Sequence, residues 1–281
     1  MDKITEKDIS FVIVTFKSHK LILNCLNSLP VESKKIIVEN SNDENFKNKL
    51  EKNFSNLDCL LMNRNSGYGT ANNFGIKKCT TKYVMILNPD VKLKSHTMHD
   101  ILTIINNTNL DIGAPINFND RNNYDFKNHK IKEVKYVKGF AILIKKNFFL
   151  RYQFDENFFL YLEEIDLCKR ITDDQQKIFL LNTYVDHIGG ASHDNEYDEE
   201  MEKSRNWHWM WSKFYYHKKH DGYFISFVKT FPNFINYFIK FLVFFFIGKS
   251  QDKIKYKMRT LGLLNGYLLK ESSYRPYENN R

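Results

Sequence analysis

Four apolar runs, Ile9 to Thr15, Lys35 to Glu39, Leu57 to Met62 and Tyr83 to Leu87, are each followed by a stretch of helical apolar spacing, at 19–28, 44–53, 68–79 and 95–107. The runs are strand-length and nearly continuous rather than alternating, as strands buried on both faces are. Their regular succession predicts an α/β architecture: a Rossmann-like, mainly parallel sheet flanked by helices. A further strand is expected over Ile112 to Ile116, then a long polar loop over Asn117 to Lys132. Strand character resumes over Val134 to Lys145, a helix is expected over Leu162 to Thr172, and a short strand over Lys177 to Leu181. Trp207, Trp209 and Trp211 alternate, which suits one face of a strand or plain packing.

Parallel strands bring their C-terminal ends to one sheet edge, and that edge is where open α/β sheets bind ligands. Thr15 ends the first strand, Glu39 and Asn40 the second, Asn63 to Gly67 come after the third, and Asn88-Pro89-Asp90-Val91 stands where the fourth stops. Each cluster alone is an ordinary turn, with Pro89 well placed as the second residue of one. Together they predict a pocket with the carboxylate of Asp90 in it. The run Gly67 to Asn73 opens a helix with small residues, where backbone amides can meet an anion. A diphosphate bound there needs a divalent cation on hard oxygen ligands, and Asp90 supplies one.

Downstream, Glu163, Glu164 and Asp166 fall within four positions. On a helix Glu163 and Asp166 share a face, and Glu164 points about 100° away. Crowded carboxylates raise one another's pKa, which suits a general base in a cleft, although acids also favour the solvated start of a helix. His187 precedes Gly189-Gly190 and is either a metal ligand or structural.

Composition narrows the possibilities. At 281 residues the chain fits one α/β domain with an appendage. The first turn lacks GxGxxG and GxxxxGK[ST] is absent, which argues against a Rossmann dehydrogenase and a P-loop NTPase. Cys25, Cys59, Cys79 and Cys168 are scattered, with no CxxC pair, so a reducing cytosol is expected, with neither a disulfide framework nor a structural zinc site. The charged segment Met1 to Asp8 and the strand-length run behind it do not read as a signal peptide. The net charge of +9 is uneven: residues 203–281 hold 15 Lys and Arg against 4 Asp and Glu, or +11, leaving −2 for residues 1–202. This predicts two parts, a catalytic and nucleotide-binding 1–202 and a basic, aromatic-rich, helical 203–281. The apolar stretch Phe234 to Ile247, interrupted upstream and within by Lys229, Pro232 and Lys240, falls short of the roughly 20 residues of a spanning helix. It is expected to lie on an anionic membrane surface, or else to be buried as a core helix or dimer contact. No nucleic-acid motif accompanies the charge, and no nucleic-acid partner is expected.

The ordered set Val14 to Ser18, Val38 to Ser41, Asn65 to Gly69 with Asn72-Asn73, Leu87 to Asp90, Lys138 to Ala141, Leu162 to Leu167 and His187 resembles the inverting family 2 glycosyltransferases of GT-A fold. Over residues 8–195 it is most similar to their rhamnosyltransferase-like bacterial branch. The resemblance implies that Thr15 and Glu39 contact the base and ribose of a nucleotide-sugar donor. It also implies that Asn40, Asn65, Gly67, Asn72 and Asn88 border the nucleotide-sugar site. Asn88-Pro89-Asp90 stands in for the DxD motif, with Asp90 reaching Mg²⁺ or Mn²⁺ and His187 completing the metal site. Glu164 takes the place of the catalytic base, with Glu163 and Asp166 supporting or replacing it. Two departures are a Glu where the base is usually Asp, and Asn88 in place of the first acid of DxD. The QxxRW signature of processive members is missing, which implies transfer of one sugar per encounter. The resemblance further implies a dTDP-L-rhamnose donor, or otherwise a UDP-sugar. The implied acceptor is a saccharide, free or on a polyprenyl-diphosphate lipid, at the inner face of the plasma membrane in O-antigen or capsule synthesis. Two rivals stand beside this family. A sugar nucleotidyltransferase should carry a Gly-rich basic signature near the N-terminus, which Thr15 to Lys20 lacks; a non-catalytic membrane-peripheral homologue that only binds nucleotide-sugar is kept open by the Glu at the base position.

Overall fold

The computed structural model describes residues 3–189, 193–194 and 198–277. The chain divides into two compact units. The described residues of the first lie within Met1–Ser66, Thr70–Phe154 and Glu164–Asn195, and those of the second within Gly67–Gly69, Asp155–Glu163 and Glu196–Arg281.

The first unit is built on one nine-stranded sheet: β1 (Ile9–Thr15), β2 (Lys34–Glu39), β3 (Leu57–Leu61), β4 (Tyr83–Leu87), β5 (Val91–Leu93), β6 (Ile112–Asn117), β7 (Ile131–Val134), β8 (Ala141–Lys145) and β9 (Ile178–His187). Its order is β3-β2-β1-β4-β8-β6-β9-β5, with β7 also on β9. The four strands legible in the sequence form the parallel half, and every residue of β1 and β4 is buried, as expected of strands covered on both faces. The other half is mixed, because β8 runs antiparallel to β4 and β6 while β9 runs parallel to β6 and antiparallel to β5 and β7.

Three expectations are corrected here. Val134 to Lys145 is not continuous strand, since β7 ends at Val134 and β8 starts at Ala141. Part of the expected loop is strand, as β7 begins at Ile131. The short strand after Lys177 runs ten residues and ends on His187, because beyond its pairing with β6 and β7 its last residues also pair with β5.

The helices of the sheet unit are α1 (Leu21–Leu26), α2 (Glu44–Asn53), α3 (Tyr68–Lys78), α4 (Thr97–Asn107), α5 (Lys146–Tyr152) and α6 (Glu163–Asp173), of which the first residues of α3 and Glu163 fall in the second unit. Asp43 caps α2 by accepting from the Phe46 amide, and α4 buries Met98, Ile101, Ile104 and Ile105, one apolar stripe. α3 lies close to the sheet because it carries Gly75. A Cβ there would sit 2.8 Å from both Val12 Cγ1 and Val38 Cγ2. Gly75→Ala is therefore expected to destabilise the protein by about 1–3 kcal/mol through overpacking, less the roughly 1 kcal/mol helix gain. Thermal unfolding checks this, with a melting temperature lowered by about 2–4 °C per kcal/mol.

The second unit is helical: α7 (Asp198–Asp221), α8 (Tyr223–Ile247) and α9 (Ser250–Tyr267) pack together. The tryptophans lie on α7, so the strand reading is corrected: Trp207 and Trp211, four residues apart, are buried against Met258, while Trp209 faces outward. The charge-based boundary at 203 thus falls inside a helix. Gly222 and Gly248 take positive φ, +89° and +80°, at the two helix junctions. His208, wholly buried and held neutral by desolvation with its pKa lowered to about 3, pairs with the Tyr274 carbonyl and the Ser272 hydroxyl. It ties the C-terminal segment to α7.

Candidate active site

The register of the parallel strands sets the candidate residues side by side. Thr15 is directly opposite Glu39, and Ile13 opposite Leu87, so Asn88 to Asp90 emerge beside Thr15 at the same sheet edge. Thr15 is fully buried and its hydroxyl has no hydrogen-bond partner among the described residues. Glu39 is also fully buried, yet its carboxylate turns back on its own loop and accepts from the amides of Ser41 and Asp43 at 2.9–3.0 Å. Asn40 donates its amide to the Thr15 carbonyl, and its side chain accepts from the Ser66 amide at 3.2 Å, which fastens the loop carrying buried Asn65 to the end of β2. Asn72 is buried in the first turns of α3, and its neighbour Asn73 bonds both the amide and the carbonyl of Phe154 at 2.9 Å.

Asp90 sits in the tight link between β4 and β5. That link is fixed by the Asn88 amide bonding Phe140 O and by the Val91 amide bonding Asn88 O. The Asp90 side chain is wholly shielded, and among the described residues neither carboxylate oxygen meets a hydrogen-bond donor. His187, a group able to carry positive charge, places its Nε2 3.4 Å from Asp90 Oδ2. The β5–β9 pairing, with Val91 opposite His187, places it there. Phe140 stacks on the imidazole at 4.5 Å, and Asn117 donates to the His187 carbonyl. A buried carboxylate without donors is costly unless an ion or cation meets it, so the pair fits a divalent metal. Among the described residues no group of three or more His, Cys, Asp and Glu is gathered to hold one, so Asp90 and His187 would leave most coordination positions to a ligand's own oxygens. Burial raises the pKa of the Cys25 thiol, the charge of Asp90 raises it further, and that cysteine stays protonated.

The acids of α6 separate. Asp166 is wholly buried and forms an ion pair with Arg170 at 2.8 Å, whose guanidinium also donates to the Tyr152 and Gln153 carbonyls. Glu164 is half-buried and lies against Gly139, where an added Cβ would meet its Cβ, Cγ and Cδ at 3.4–3.5 Å. Gly139 precedes Phe140, so Glu164, Asn88 and His187 converge on one two-residue segment. Burial, with the charge of Glu164 adding to it, pushes the Cys168 thiol up to about 12. Glu163 and Gly67 belong to the second unit. There Gly67, at φ +84°, lets the chain pass so close to Phe159 that a Cβ would sit 2.4 Å from its carbonyl oxygen.

A cavity of about 320 Å³ opens beside this cluster, lined by Asn117, Asp120, Tyr136, Lys138 and Phe140 among others. Phe140 falls in the Lys138 to Ala141 segment of the resemblance but with no role given to it, and Asn117 read as the start of a loop. Both meet His187 through contacts distant in sequence, Phe140 by stacking on its ring and Asn117 by donating to its carbonyl.

A family model described as Glycosyl transferase family 2 matches residues 10–169, more than half of the chain. The chain belongs to that family. Among family relatives, the low-salt glycan biosynthesis hexosyltransferase Agl10 of Haloferax volcanii is 25% identical over 189 residues, 58% of this chain and 61% of that protein. The chain thus matches less than two thirds of that relative's length. Among solved structures, S. aureus TarS 1-349 has a TM-score of 0.54 at 15% identity, covering 95% of this chain and 93% of its own. GalNAc-T7 with UDP, GalNAc and Mn²⁺ has a TM-score of 0.53 at 12% identity, covering 78% of this chain and 55% of its own. These likenesses establish the fold of this family 2 glycosyltransferase as GT-A, a mixed sheet flanked by helices with a helical C-terminal region.

Proposed function

We propose that this family 2 glycosyltransferase is a metal-dependent, inverting enzyme. It moves one sugar from dTDP-L-rhamnose, or otherwise a UDP-sugar, to a saccharide acceptor. The acceptor is free of lipid or carried on a polyprenyl diphosphate, in the assembly of a bacterial surface polysaccharide such as O-antigen or capsule. The protein works in the cytoplasm, peripheral on the inner face of the plasma membrane. One observation carries the reading: the buried carboxylate of Asp90, without a hydrogen-bond donor among the described residues, faces His187 at a sheet edge where Glu164 also converges.

In this reading Thr15 and the Glu39 loop border the base and ribose, with Asn40, Asn65, Asn72 and Asn88 around the donor. Asp90 and His187 would hold Mg²⁺ or Mn²⁺, which neutralises negative charge on a nucleoside diphosphate as it leaves. Glu164 accepts the proton of the acceptor hydroxyl while that oxygen bonds to the anomeric carbon. The bond from this carbon to the diphosphate oxygen breaks on the opposite face, its electron pair leaves with the nucleotide, and the configuration inverts. The arrangement of Asp166 with Arg170 suits it to holding α6, and leaves Glu164 as the acid placed for the proton. The cavity beside Phe140 gives room for one acceptor ring. Support for the UDP alternative comes from relatives: TarS 1-349 has been solved with UDP-GlcNAc at 14% identity and a TM-score of 0.54, and GalNAc-T7 with UDP and Mn²⁺.

The test is release of nucleoside diphosphate from UDP-, dTDP- and GDP-sugars with Mn²⁺ or with a chelator. Release from one nucleotide class, abolished by the chelator, is expected. Release from none, by folded protein, overturns the reading.

A further inference from the structure

We infer that α8 is an in-plane membrane helix, which sinks one apolar face into a single anionic leaflet and does not cross the bilayer. This rests on the membrane placement proposed above and gives it a mode. The expectation of an apolar stretch too interrupted and short to span is corrected by the structure: Tyr223–Ile247 is one helix with Pro232 inside it, long and apolar enough to span by length and composition. At 1.5 Å per residue it measures about 37 Å, against a hydrocarbon core of about 30 Å.

The distribution of side chains around the helix decides between spanning and lying flat. At 3.6 residues per turn, Phe224, Phe231, Ile235, Phe238, Leu242 and Phe246 form one stripe along its whole length. All six are exposed, Phe224 at 76% and Phe246 at 83%. A second line is polar. Lys229, Asn236 and Lys240, at spacings of seven and four, fall within about 40° of one another, roughly 80° or more round from that stripe; exposed Ile225, Ile239 and Val243 fill the gap, so the polar line lies between the exposed apolar surface and the packed face. The third face is occupied: Ser226 and Thr230 are buried, Phe234 packs on Tyr267, and Tyr237 and Phe244 on Tyr256.

Tyr256 and Tyr267 belong to α9, which lies along α8 and brings Lys253, Lys255, Lys257 and Arg259 with it. Lys240 and Lys253 reach back over Tyr256 and Phe245, and Arg259 over Tyr237. A spanning α8 would drag these cations and the Lys229–Asp221 pair into hydrocarbon, where ionised groups are excluded unless they reach the interface. Lying flat separates the two demands, because the stripe enters the acyl boundary while the lysine seam and α9 stay at headgroup level. The charge of +11 over residues 203–281 fits anionic phospholipid. A soluble protein partner would cover the stripe without using that charge.

The test uses the full chain. All four native cysteines are buried, so a cysteine introduced on α8 takes an environment-sensitive fluorophore selectively. Labels at Phe231→Cys, Ile235→Cys, Phe238→Cys and Leu242→Cys are compared with labels at Lys229→Cys, Asn236→Cys and Lys240→Cys. Vesicles are phosphatidylcholine alone or with one third phosphatidylglycerol, some carrying a quencher on the acyl chain. On anionic vesicles the first set is expected to be quenched at least twofold more than the second along the whole helix, with binding at least fivefold weaker on neutral vesicles. Quenching that peaks near 235 and 236 regardless of face means a span and overturns the inference. Absence of any vesicle response overturns it as well, including the case where the labels respond to protein concentration because a second copy covers the stripe. Donor binding, measured separately, reports on the transferase reading alone.

Discussion

Glu164→Gln is expected to abolish sugar transfer, by roughly 10²- to 10⁴-fold, while nucleotide-sugar binding survives. The magnitude is that of a general base removed from its proton. The substitution keeps the shape of the side chain and removes only its ability to accept that proton. The site tolerates it sterically, since Gly139 leaves room along the whole stem of Glu164. In the proposed reading donor binding is set at the Thr15, Glu39 and Asp90 edge, which the change does not alter. Single-turnover transfer and nucleotide titration, run side by side, separate the two effects. Transfer at wild-type rate would move the base to Glu163 or Asp166. Asp166 is poorly placed for that role: it is fully buried and neutralised by Arg170.

Asp90→Asn is expected to act in opposite directions on the free and the liganded protein. Free of ligand, the native carboxylate is shielded and meets no hydrogen-bond donor among the described residues, so replacing its charge with an isosteric amide is expected to leave stability unchanged or raised. With metal and nucleotide present the same change removes a direct oxygen ligand. Loss of an outer partner of a metal ligand already costs about 10- to 100-fold in metal affinity, and loss of the ligand itself should cost at least the upper end. A variant that melts no lower than wild type alone, yet gains little from nucleotide and Mn²⁺, is the signature of a metal ligand. A residue that merely braced the β4–β5 link would instead lower stability in both states.

The parallel half of the sheet was legible because strands buried on both faces must be apolar throughout, and β1 and β4 leave no other reading. The site edge came from topology, since parallel strands carry Thr15, Glu39 and Asp90 to one side whatever else the chain does. What was hidden depended on contacts distant in sequence. The length of β9 is set by three strand partners, not by its own alternation of polar and apolar residues, so the strand expected from Lys177 stopped at Leu181, short of His187. The spacing of Trp207, Trp209 and Trp211 fits a strand face locally, and only the packing of Trp207 and Trp211 on Met258 makes it a helix. Lys229 and Lys240 looked like breaks in an apolar stretch because a linear reading cannot see that they share one line along α8. The inward turn of Glu39 onto the amides of Ser41 and Asp43 is a loop geometry with no signature in residue type. The Asp166–Arg170 pair, four apart on α6, was within reach of a spacing argument.

The central claim is that a nucleotide-sugar binds at the Asp90 and His187 edge with a divalent metal. Thermal shift of wild-type and Asp90→Asn protein with UDP-, dTDP- and GDP-sugars, each with and without Mn²⁺, tests it most directly. Ligand at about 100 times its dissociation constant adds roughly 2.7 kcal/mol to native stability, a shift of several degrees. Stabilisation by one nucleotide class that requires Mn²⁺ in the wild type and is lost in the variant is expected. A nucleotide response that is equal with and without Mn²⁺, or unchanged in Asp90→Asn, would contradict it.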